Sequence, residues 1–151
     1  KAYKSISWTS VVMIAAMIPM GVAIQKTGAA EMISNSLISF LGKDNPTLLL
    51  AGIFILTTTF SQFINNSATA VLMAQIVLLE ASTIGISPEP LLITVAISAS
   101  TAFLTPIGTT TNAMVMSSGN YKFMDYFKVG LPLLIIFVIT TLLLVPIIWP
   151  F

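Results

Sequence analysis

From Val129 to Trp149 the chain carries no charged side chain. A helix that crosses the hydrocarbon core of a bilayer needs about 20 mostly apolar residues, and this run supplies them. The rest of the chain has the same character. Of 151 residues, 56% are hydrophobic and only 7% are charged, against roughly 25% charged in soluble domains, so a water-facing surface cannot be covered. In lipid, a span must satisfy its own backbone polar groups. The fold class this predicts is an all-α integral membrane protein.

The same inventory excludes several chemistries. The net charge is +1, from six Lys and five acidic residues, with no Arg. That leaves no basic footprint for nucleic acid. Cys and His are both absent, which removes disulfides, thiolate and imidazole metal sites, and Cys or His catalysis. An intramembrane hydrolase would lack both its usual base and a carboxylate pair. The eight Met read as apolar filler.

Five segments follow in order. Residues 8–26 form a first span with Pro19 inside it, ending at Lys26 and Gly28. Residues 29–41 place Ile33, Leu37, Phe40 and Leu41 on one side of a helix and Glu31, Asn35 and Ser39 on another, the pattern of an interfacial helix. Residues 46–84 hold two apolar runs around "INNSATA". Two full spans with a short loop would explain them, as would a re-entrant hairpin whose tip lies inside the membrane. The run from Thr47 to Phe60 covers about 21 Å at 1.5 Å per residue, short of a core of about 30 Å, which favours the hairpin. Residues 90–119 read as one span broken at "TPIGTTTN", where Pro106 and Gly108 can interrupt a helix. Residues 128–149 are the last span, with Trp149 as an interfacial anchor.

Three crossings and a hairpin that returns to its own side would put Lys1, Lys4, Lys122 and Lys128 together, opposite Lys26 and Lys43. By the positive-inside rule the C-terminus then faces out. Because Lys1 leads straight into an apolar run without a signal-peptide pattern, the chain is expected to be an excerpt of a longer one.

The two polar interruptions carry the chemistry. A helix end leaves four backbone groups unpaired. N-terminal ends favour anions, and freed carbonyls and C-terminal ends favour cations such as Na⁺. Asn and Thr add neutral oxygens and N–H donors without burying a charge, which is costly at the bilayer centre. Two such interruptions together suggest half of an ion-coupled anion site. Polar residues in membrane helices also serve simply to bond neighbouring helices, and that reading stays open.

"INNSATA" and "TPIGTTTNAMV…GNYKFMDYFKVGLPL" resemble the C-terminal half of the divalent anion/sodium symporter family, SLC13-type permeases within the ion transporter superfamily. Asn65, Asn66 and Ser67 correspond to the family's Ser-Asn-Thr hairpin tip. Thr109, Thr110, Thr111 and Asn112 correspond to its Thr-Pro-Pro-Asn break. The resemblance implies that Asn66, Ser67, Thr109 and Thr110 contact the anion. It also implies that Asn65, Asn66, Gly108 and Asn112 hold Na⁺, several through backbone carbonyls. It further implies one half of an inverted-repeat fold, a missing N-terminal repeat, a homodimer and a bacterial inner-membrane setting. Asn65 for Ser, Ser67 for Thr, and Thr110 and Thr111 for the two prolines are departures that keep hydrogen-bonding capacity and leave the substrate open between dicarboxylate and sulfate.

The expected function is Na⁺-coupled symport of a divalent anion by a mobile hairpin domain. Proton coupling, an arsenite-type permease of the same superfamily and a non-transporting membrane subunit are the alternatives. The sequon Asn65-Asn66-Ser67 is out of reach of glycosylation at membrane depth. Glu80, near the hairpin's outer end, is expected to be solvated, as is a Lys122–Asp125 pair.

Overall fold

The structure, a computed structural model, describes residues 45–151 continuously and isolated positions before them. The expected span over 8–26 and interfacial helix over 29–41 lie outside the continuously described residues. The described part is helical with no strand: α1 (Pro46–Ser61), α2 (Asn66–Ile84), α3 (Glu89–Ala99), α4 (Thr110–Gly119) and α5 (Phe123–Ile148). By length and apolarity α2 and α5 can each cross a membrane, and α1 and α3 are shorter apolar helices.

Each boundary has a local cause. Pro46 opens α1, where a missing N–H costs no helix bond. Asn65 caps α2 by accepting the Ser67 N–H at 2.9 Å. Gly85 ends α2 in the left-handed conformation (φ 80°), which glycine adopts without a Cβ penalty. Pro90 sits in the first turn of α3. Thr109 caps α4 by accepting the Asn112 N–H at 3.1 Å, and α4 stops at Asn120 with φ 53°. α5 starts within the polar "NYKFMDYFK", because the Asp125 carboxylate accepts the Lys122 backbone N–H at 2.9 Å. Asp125 is thus a helix cap, where the sequence suggested a solvated ion pair.

Burial follows helical stripes. Leu50, Ile53, Phe54, Thr57, Thr58 and Ser61 form one face of α1. Leu91, Thr94, Val95, Ser98 and Ala99 form one face of α3, and α1 and α3 pack together closely. α2 contributes Met73, Ile76, Val77 and Ala81 to the same core. Glu80 belongs to this face at 1% exposure, which corrects the expectation that it is solvated: three residues after Val77 and four after Ile76, it points where they point. Most of α5 is uncovered by the described residues, with Gly130, Thr141 and Val145 its buried positions. Between helices in lipid, close van der Waals packing and hydrogen bonds hold the assembly. The small residues of α3 permit both.

Candidate functional site

α1 ends at Ser61 and α2 begins at Asn66, so residues 62–65 are non-helical. α3 ends at Ala99 and α4 begins at Thr110, leaving 100–109 non-helical as well. These two interruptions touch. Gly108 is buried, and a Cβ added there would come 2.7 Å from the Ala102 Cβ and 3.0 Å from the Ser61 carbonyl oxygen. Only a residue without a side chain lets the loop approach the tip this closely.

Polar bonds stitch the contact. Thr58, Ser61 and Gln62 share one face at the end of α1. The Thr58 and Thr101 hydroxyls lie 2.9 Å apart. Ser61 Oγ sits 2.6 Å from the Ala99 carbonyl and 3.0 Å from Asn66 Oδ1, so its single proton is shared between the α3 end and the α2 start. Gln62, 5% exposed, accepts the Leu104 N–H through Oε1 at 3.1 Å. Its Nε2 donates to Thr58 O at 3.2 Å and Thr101 O at 3.4 Å. Its backbone oxygen accepts the Thr105 hydroxyl at 3.0 Å.

The residues singled out from the sequence divide by task. Asn66 is half-buried and joins the junction through Ser61. Gly108 is at its centre. Asn112 folds back over the loop, donating Nδ2 to Ala102 O at 2.9 Å and Thr105 O at 3.1 Å, so Oδ1 is what its side chain can offer a cation. Its backbone oxygen accepts the Tyr126 hydroxyl at 2.8 Å. Asn65 and Thr109 each cap their own helix and do not reach across the junction. Ser67 lies exposed on the first turn of α2, and Thr110 opens α4. Gln62, Thr105 and Tyr126 were not singled out from the sequence. The signal for Gln62 was an amide four residues before Asn66 in an otherwise apolar run. Tyr126 had none.

No charged residue occurs from 45 to 79 or from 90 to 121, so the junction is neutral. Among the described residues no cluster of His, Cys, Asp or Glu could hold a metal. Neutral amide, hydroxyl and carbonyl oxygens suit a weakly held monovalent cation. The helix starts at Asn66 and Thr110 present N–H groups of the kind that favour an anion.

A helical membrane chain interrupted twice at one uncharged, hydrogen-bonded junction fits the class of membrane transporters. The sequence model described as a citrate transporter family matches residues 1–151, and the chain belongs to that family. This bears out the resemblance carried by the two motifs. The chain is 42% identical over 150 residues to the uncharacterized transporter YfbS of Escherichia coli, covering 99% of this chain and 25% of that protein. It is 33% identical to the uncharacterized transporter sll0640 of Synechocystis, covering 97% and 24%. It is 29% identical to a probable sodium/sulfate cotransporter 3 of Chlamydomonas reinhardtii, covering 87% and 15%. The chain thus spans about a quarter of the length of the two bacterial relatives. The family and these relatives are transporters, not enzymes, and the chain is part of an integral membrane protein.

Proposed function

We propose that the intact protein is a secondary active transporter that couples Na⁺ to the uptake of a divalent anion, sulfate or a dicarboxylate. The observation that carries this reading is the contact of the two helix breaks at Gly108, where a side chain would clash with Ala102 and press on the Ser61 carbonyl. Asn66, Ser67, Thr109 and Thr110 bind the anion. Asn65, Asn66, Gly108 and Asn112 bind Na⁺, with Asn65 and Thr109 also capping their helices. The sodium/sulfate cotransporter of Chlamydomonas supports the ion and the substrate class.

Depth supports a site inside the bilayer. α3 has 11 residues and rises about 16 Å, and α4 has 10 and rises about 15 Å. Joined through the break they reach about the 30 Å of a hydrocarbon core, which puts residues 100–109 near its middle. With the tip packed on that break at the same level, α1 and α2 form a re-entrant hairpin over 46–84 whose helices, about 24 and 28 Å long, continue past the core on the side of entry, with residues 90–119 a broken span and 128–149 the last span. The hairpin moves against a scaffold that includes a second, inverted repeat outside this chain. The intact protein is a homodimer in the bacterial inner membrane with this chain's C-terminus facing out.

Asn66→Ala in the intact protein tests the reading. Na⁺-dependent uptake of sulfate or succinate into proteoliposomes falls to background, while the protein remains monodisperse in detergent. Uptake equal to wild type would remove Asn66, and with it the tip, from the site.

A further inference from the structure

The junction has two parts that are held differently. Thr58 and Ser61 bond Ser98 and Ala99 at the end of α3 and Thr101 at the very start of the loop. Gln62 reaches further, to Leu104 and Thr105, the part of the loop that leads into Gly108 and Asn112. We propose that Gln62 is a positioning residue that clamps this second part of the loop to the hairpin tip and so sets the spacing of the cation-binding groups. This rests on reading the two breaks as the binding site.

Three observations carry the proposal. First, non-helical backbone at membrane depth must find partners within the protein, and Gln62 supplies one for Leu104 N–H. A carboxamide suits the task because one planar group both accepts and donates. Gln62 uses both ends, with Oε1 on Leu104 and Nε2 on Thr101 and Thr58.

Second, the bonds continue to the proposed ligands. Thr105 gives its hydroxyl proton to Gln62 O and accepts the Gly108 N–H at 3.2 Å on the same oxygen. The Thr105 carbonyl accepts Asn112 Nδ2. One residue, Thr105, therefore relays the position of Gln62 to both Gly108 and Asn112.

Third, the surroundings are apolar. A cavity of about 400 Å³ beside Gln62 is lined by Phe54, Phe63, Phe123, Phe127 and Leu134 along with Thr58 and Thr105. In such low-dielectric surroundings these bonds are stronger, and a lost partner is costlier, than in water.

The experiment uses the full-length transporter with Gln62→Met, Thr105→Val and Thr105→Ser. Gln62→Met keeps the length of the side chain and removes its amide. Thr105→Val removes the relay hydroxyl and Thr105→Ser keeps it. Amide hydrogen exchange over residues 100–109 becomes at least tenfold faster in Gln62→Met and Thr105→Val, is unchanged in Thr105→Ser, and is unchanged over α1 and α3 in all three. In proteoliposomes, half-saturating Na⁺ for sulfate or succinate uptake rises about tenfold in the first two variants, with maximal rate within twofold of wild type.

Unchanged exchange in Gln62→Met overturns the clamp. Faster exchange with an unchanged Na⁺ requirement overturns its positioning role. If Gln62→Met does not fold, Gln62→Leu, which also lacks the carboxamide, is read by the same criteria, because the Thr105 pair reports only on the bond to the Gln62 backbone oxygen. If wild-type protein shows no Na⁺-stimulated uptake of either anion, the transport reading fails by itself, and the exchange data still decide whether Gln62 holds the loop.

Discussion

Gly108→Ala is the perturbation for which the structure gives the clearest magnitude. The new Cβ would lie 2.7 Å from the Ala102 Cβ and 3.0 Å from the Ser61 carbonyl, and ordinary contact begins at 3.4 Å. The loop must therefore open by about 0.7 Å between Gly108 and Ala102 and give by about 0.4 Å against the tip. Neither neighbour is a flexible side-chain end, so the backbone carries the shift. Overpacking of this kind costs about 1–3 kcal/mol. If the loop relieves it by moving away, cation binding must close the junction against the same amount. A difference of 1–3 kcal/mol changes an affinity by roughly 5- to 150-fold. The assay is Na⁺-dependent sulfate or succinate uptake by the reconstituted full-length protein, with half-saturating Na⁺ as the readout. Gly85→Asn is the control: an added Cβ there meets nothing within 4 Å, and Asn tolerates φ near 80°, so half-saturation stays within twofold of wild type. A folded Gly108→Ala protein with wild-type half-saturation would refute the view that this close approach sets the site.

Two further outcomes follow from the same geometry. At Gly130 a Cβ would sit 2.7 Å from the Phe103 carbonyl carbon, so Gly130→Ala pushes α5 off the loop; the thermal midpoint of the purified protein drops by several degrees, and an unchanged midpoint would mean α5 is not seated there. Tyr126→Phe removes the 2.8 Å bond to the Asn112 carbonyl, worth about 1 kcal/mol; half-saturating Na⁺ rises about fivefold in the uptake assay, and no change would separate α5 from the site.

Much of the site's location was legible because polarity is expensive in an apolar chain. Asn65-Asn66-Ser67 and Thr109 to Asn112 stood out against runs without charge, and so did the break residues Pro106 and Gly108. What those residues do was less legible. Asn65 and Thr109, which the sequence offers as ligands, are seen in the structure as N-caps, because the same oxygen that can face an ion also suits the unpaired N–H groups of a helix start. Gln62 was missed because a lone amide has no periodicity, and its partners Leu104 and Thr105 lie more than 40 residues away. Glu80 looks solvated when only its distance from the tip is considered. The phase shared with Ile76 and Val77 buries it.

In the proposed transporter the two helix breaks form one ion-binding junction that water reaches part of the way through the membrane. Ser67, exposed beside the junction, reports on it directly once replaced by Cys in the full-length protein on a cysteine-free background. A membrane-impermeant thiol reagent is expected to label Cys at this position, and Na⁺ with sulfate or succinate to slow the labelling several-fold. A thiol that labels from neither side of the membrane, with or without those ions, would contradict it and leave the polar clusters as interhelical bonding alone.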